Sequence, residues 1–199
     1  MHPPIQGFRH QLLTLEQSCF EDMRGAIADL FTQHEMHHDF GLAMLHSHYD
    51  LDPDFVMVHN SDDAGRDICR PERYCSHRTL YPYSFRLCAS GFTPFEYSSR
   101  PAPPVHVPFF GELARLLRAH GLENLLGLVY LESPTSTWLE KMDVTGHGMI
   151  SEVHLGDCNP EAEAYSTTEW KIIKSGRGAH LVSRKWCKEL DHGGHERKN

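Results

Sequence analysis

The chain has 199 residues, an apolar content of 40%, a charged content of 23% and a formal net charge of −8. That composition excludes disorder, and the length suffices to bury a core without disulfide or metal staples. The acidic balance argues against nucleic acid and against membrane as partners, because both surfaces call for clustered Lys and Arg. The tail from Arg184 to Lys198 reads as locally basic.

No apolar run is long enough for a transmembrane helix. The opening Met1-His2-Pro3-Pro4-Ile5-Gln6 does not read as a signal peptide. Cys19, Cys69, Cys75, Cys88, Cys158 and Cys187 are scattered. Free thiols in a reducing compartment, the cytoplasm, are therefore expected.

The first element is an amphipathic helix. Leu12, Leu15, Cys19, Met23, Ile27 and Leu30 form one apolar stripe. Thr14 and Gln17 form a capping box if it starts there, and a start near Arg9 is equally compatible. Gly41 is a suitable stop. Leu42 to Leu51 and Phe55 to His59 then read as strands around Asp52-Pro53-Asp54. The polar stretch from Asn60 to Arg78 reads as a surface excursion. Tyr81, Tyr83, Phe85 and Leu87 alternate as in a half-buried strand. Pro94 places the segment Phe92 to Tyr97 at a sheet edge, and that edge would support a homodimer.

Pro101, Pro103 and Pro104 make 98–107 an extended connector. Pro108 then opens a second helix with Phe109, Phe110, Leu113, Leu116, Leu117 and His120 along one side, closed by Gly121. Leu125 to Leu131 reads as a central strand. Trp138–Val144 and Met149–Leu155 read as a hairpin around Gly146-His147-Gly148. Glu169–Ile173 and Ala179–Trp186 follow, joined through Ser175 to Gly178. A flexible tail begins at about residue 188. The sum is one α+β domain over 1–199, a largely antiparallel sheet with two main helices packed on one face.

Sixteen histidines direct attention to metal chemistry. In a strand, His46 and His48 lie on one face, about 7 Å apart along the chain. They would then share a divalent metal such as zinc, or act as acid and base in a pocket. The alternative is that loop carbonyls or water satisfy them. His34-Glu35-Met36-His37-His38 matches H-E-x-x-H, in which His34 and His38 on a helix would bind zinc with Glu35 as base. Met44 stands where the extended pattern needs a third histidine, and Glu112 lies near the start of the second helix with no evident route to the motif. Cys69-x5-Cys75-x-His77 has ligand types but lacks a common zinc spacing and an evident fourth ligand, so a flexible surface loop is expected, in which Cys69 and Cys75 could also form a labile disulfide. Glu152 and His154 share a strand face, and with Glu132, Glu140 and Asp143 they read as solvated by default.

The run Phe40-Gly41-Leu42-Ala43-Met44-Leu45-His46-Ser47-His48-Tyr49-Asp50-Leu51 resembles a segment of small fungal proteins of unassigned function. Their strand ends in H-x-H, an aromatic residue and a leucine. Tyr81–Arg86 and Gly121–Leu128 are similar to their middle and late regions. The resemblance implies interest in His46 and His48 without assigning a reaction. The leading expectation is a histidine-lined pocket at His46 and His48 that binds a divalent metal or a small polar molecule and supports proton transfer or hydrolysis. A non-catalytic binding module and a zinc metallohydrolase built on His34 and His38 are the alternatives.

Overall fold

In a computed structural model the described residues form a closed barrel of ten strands with two helices packed against it. The structure describes residues 20–46, 51–75, 77–132, 136–142, 148–153, 165–176 and 178–188. His48, His154, Asp143 and the tail beyond Lys188 lie outside them, as do Leu12, Leu15 and Cys19.

Helix α1 spans Phe20–Gln33, and a single 3₁₀ turn covers Met36–His38. Strands β1 (Phe40–Met44), β2 (Phe55–Ser61), β3 (Asp67–Arg73), β4 (Tyr81–Cys88) and β5 (Gly91–Ser98) precede helix α2 (Val107–Ala119). Strands β6 (Leu126–Tyr130), β7 (Trp138–Met142), β8 (Met149–Val153), β9 (Tyr165–Ser175) and β10 (Gly178–Lys188) follow it. Around the barrel the order is β1-β6-β4-β5-β2-β3-β8-β7-β10-β9, and β9 returns to β1 through Leu42↔Trp170 and Ala43↔Glu169. The β2–β5 and β7–β10 pairs are parallel, and the other pairs are antiparallel.

The expected α+β sheet with both helices on one face is therefore wrong, although both helices exist. Alternation was read as one face on the core and one in water. In the barrel the apolar face looks outward, under the helices, and the polar face looks into the lumen. Met23, Ile27 and Phe31 of α1 and Phe109, Phe110, Leu113 and Leu117 of α2 pack with Phe40, Leu42, Phe85, Leu128 and Trp170 in one buried cluster. The opposite faces of β1 and β6 carry Gly41, Ala43 and Gly127. A Cβ on Gly41 would stand 2.4 Å from the Trp170 carbonyl oxygen, and one on Gly127 2.2 Å from that of Phe85. These glycines let β1 and β6 approach their neighbours where the wall closes.

Two irregularities set what enters the lumen. The β4–β5 register slips around Ser84. Tyr83 and Ser84 are consequently both buried on the lumen side, while Phe85 and Leu87 join the outer core. The expected unbroken alternation of Tyr81, Tyr83, Phe85 and Leu87 thus fails at this bulge. The β9–β10 register slips around Arg184, so the consecutive Arg184 and Lys185 both turn inward. Strand β5 lies between β4 and β2 instead of at an edge. Pro94 is tolerated because β5 meets β2 only at Tyr97 and Ser98. The polar stretch from Asn60 to Arg78 contains β3, whose polarity suits a wall with a polar inner face.

A charged lumen with two His-Cys-Glu clusters

The lumen is filled by polar side chains. Lys185, 5% exposed, places its Nζ 2.9 Å from Glu140 Oε1 and 3.4 Å from Glu169 Oε1. Glu169 also pairs with the buried Arg184. Asp67, Glu96, Glu140 and Glu169 outnumber the fixed cations Arg184 and Lys185 by two. Arg100 and Glu132 pair with each other near one side.

His59 ends the apolar run of β2 and is 1% exposed. Its ring stacks on Tyr83 at 3.8 Å between centroids. A 2.7 Å hydrogen bond joins His59 Nδ1 to Asp67 Oδ2. A carboxylate only accepts, so Nδ1 carries the proton and donates it. Nε2 is buried without a hydrogen bond and lies 3.4 Å from Glu96 Oε2. Ser84 Oγ donates to that same Glu96 oxygen at 2.9 Å. Cys69 is the register partner of His59 across β2–β3. One donor atom from each of His59, Cys69 and Glu96 lies within 4.8 Å of the others.

Burial works to lower the His59 pKa, but the charge of Asp67 overrides it and holds it well above the ordinary value. The same attraction lowers Asp67 and Glu96 against their own burial. Burial pushes the Cys69 thiol up to about 11, and it also raises Tyr83.

His46, Glu140 and Cys187 form a second group of the same composition. β1 ends at Met44, so strand alternation no longer governs His46. Burial works to lower the His46 pKa, but the Cys187 and Glu140 side chains beside it hold it well above the ordinary value. Burial likewise opposes the charge of Lys185, and Glu140 and Glu169 hold it well above its usual range.

The other motifs resolve differently. α1 ends at Gln33, and Glu35 adopts a left-handed φ of 58°. His34 and His38 therefore do not share a helical face, and the H-E-x-x-H reading lacks its scaffold. His34 Nε2 instead faces Glu112 Oε2 at 3.2 Å, an approach of α2 that local spacing did not reveal. His38 is exposed and its ring lies 3.9 Å from that of His37. Cys69 and Cys75 are free thiols, the first buried and the second exposed, so the expected surface loop and labile disulfide are both replaced. Glu140 is buried instead of solvated, whereas Glu152 pairs with Lys141 in the open. Sequence reasoning missed His59, Glu96 and Lys185. The signal available was Asp67-x-Cys69, two ligand types on one strand face eight and ten residues after His59.

The gap between Asp67, Tyr83, Glu132, Trp138, Ser151, Arg184 and Lys185 is about 10 Å³ for the centre of a water-sized sphere. A wider depression of about 460 Å³ lies outside the barrel at Asp52, Pro53, Asp54, Phe55 and Arg73. Its ion pair, Arg73–Asp54, is 75% and 72% exposed, so no buried chemistry converges there. Among the described residues no helix is long and apolar enough to cross a membrane. No protein-family model, no curated protein and no solved structure matches the chain.

Proposed function

We propose that the protein is a divalent-metal-binding barrel whose ion is held by His59, Cys69 and Glu96. The observation that carries this reading is His59 Nε2, buried without a hydrogen bond and 3.4 Å from Glu96 Oε2. Charge-assisted hydrogen bonds are shorter, at roughly 2.7–2.9 Å. Two ligands on one tetrahedral zinc ion, at bond lengths of about 2.0–2.2 Å, stand roughly 3.4 Å apart. The separation thus matches a shared ion better than a direct contact.

The surroundings agree with the chemistry. Asp67 fixes the His59 ring through Nδ1, as outer carboxylates do for metal-bound imidazoles. Imidazole with thiolate selects zinc-class ions over magnesium or calcium. Two anionic donors neutralise the dication within the buried wall. The narrow lumen favours an ion over an organic ligand, which needs a pocket of roughly 300 Å³ or more. Three protein donors leave a tetrahedral ion one open position for water or a similarly small donor.

The test is zinc affinity by chelator competition on untagged protein. Cys69→Ser and Glu96→Gln should each abolish tight binding of one equivalent while circular dichroism reports an intact barrel. Folded variants that bind zinc as the parent does would overturn the assignment.

A further inference from the structure

The His46, Glu140 and Cys187 cluster is built from three segments remote in sequence: the residues after β1, strand β7 and strand β10. Cys187 and Glu140 are register partners across the parallel β7–β10 pair. His46 Nδ1 lies 2.9 Å from the Met44 carbonyl oxygen. A carbonyl only accepts, so the Nδ1 proton is committed there and Nε2 is the metal-facing nitrogen. Nε2 stands 3.7 Å from Glu140 Oε2, within about 0.3 Å of the separation that a shared tetrahedral ion sets. Glu140 divides its oxygens. Oε1 takes the Lys185 ammonium at 2.9 Å, and Oε2 faces His46. Lys185 thereby orients a carboxylate in the manner of an outer partner to a metal ligand.

We propose that His46, Glu140 and Cys187 form a second divalent-metal site, with one imidazole, one carboxylate and one thiolate as donors for a zinc-class ion. It shares no ligand with the site at His59, so it stands or falls separately. The two are neighbours in the wall, because register partners run Asp67↔Ser151↔Glu140↔Cys187 across β3, β8, β7 and β10. Ser151 thus lies between the residue that orients His59 and a ligand of the second ion. The His46 side chain is 27% exposed against 2% for His59, so the second site is the more accessible and exchanges its ion faster.

Cobalt(II) is the probe, because a thiolate ligand gives it a charge-transfer absorption that stray surface histidines do not. Untagged protein should bind two equivalents tightly. Cys187→Ser should remove one equivalent and about half of the charge-transfer intensity, and Cys69→Ser the other half. Glu140→Gln should weaken only the half that depends on Cys187, which decides the matter if Cys187→Ser does not fold. The second site is overturned if Cys187→Ser and Glu140→Gln leave the spectrum and stoichiometry unchanged while Cys69→Ser removes all the intensity; the first reading then survives. Loss of all intensity in Cys187→Ser and none in Cys69→Ser upholds this site and overturns the first.

Discussion

Replacing Lys185 with methionine removes the ammonium that contacts both Glu140 and Glu169. The variant keeps the length of the side chain, so the change is electrostatic more than steric. Glu169 retains Arg184. Glu140, 5% exposed, loses its closest ion-pair contact and is left facing His46 at 3.7 Å. Breaking a buried pair by removing one partner costs about 3–5 kcal/mol. With a urea slope of about 2 kcal/mol/M, the midpoint of the metal-free protein should fall by roughly 2 M at pH 7. Adding Glu140→Gln replaces the buried carboxylate charge with a neutral amide and should recover a substantial part of the loss. The deficit of Lys185→Met relative to the parent should also shrink as pH falls from 7 toward 5. Lys185 favours the ionised form of Glu140, so its removal costs most where that carboxylate is ionised and the cost eases as protons become available. A deficit below about 1 kcal/mol at pH 7, or a double variant no more stable than Lys185→Met, would refute the reasoning, because a buried, dependent pair requires both.

Gly127→Ala forces a Cβ to 2.2 Å from the Phe85 carbonyl oxygen and 2.7 Å from Leu45, so chemical denaturation should reveal a loss of about 2–4 kcal/mol. Gly25→Ala in α1 meets nothing within 4 Å and should instead gain up to about 1 kcal/mol, a control for the substitution itself. Asp67→Asn leaves the three donors of the first site in place but weakens the orientation of His59, and zinc titration should give an affinity roughly 10–100-fold lower. Metal-free stability should decline as pH rises above the ordinary histidine value of about 6.5. His59 and His46 have raised folded pKa values, so their contribution is complete below that value and is lost as pH climbs through the folded ones. Thermal melts in chelator across pH 6 to 9 check this, and a melting temperature that rises through that window would contradict it.

Parts of this architecture are legible in the chain. Pro108, the Phe109–Leu117 stripe and Gly121 mark α2, and Gly121 has the positive φ of 68° that such a stop needs. The apolar run at Leu126–Tyr130 is an interior strand. The Ser175–Gly178 turn does join two strands, though both run longer than their apolar segments suggested. Closure was not legible, because it depends on the short β1–β9 seam and on glycine clearances between distant strands. A polar lumen also inverts the usual inference from polarity to solvent. Asp67–Arg73 resembled a surface stretch and Glu140 a solvated residue, yet the first is a wall strand and the second is buried. The bulges at Ser84 and Arg184 shift side-chain parity in ways that no alternation count anticipates. His46 stood out as a site residue, but its partners Glu140 and Cys187 lie on strands that only the closed barrel brings to it.

The central claim is that a metal ion occupies the corner between His59, Cys69 and Glu96. Anomalous scattering above and below the zinc edge, from crystals of untagged zinc-loaded protein, locates it directly. The account predicts a strong peak within about 2.0–2.3 Å of His59 Nε2, Cys69 Sγ and a Glu96 carboxylate oxygen. Zinc found only at surface histidines, with His59 Nε2 still facing Glu96 across an empty gap, would contradict it.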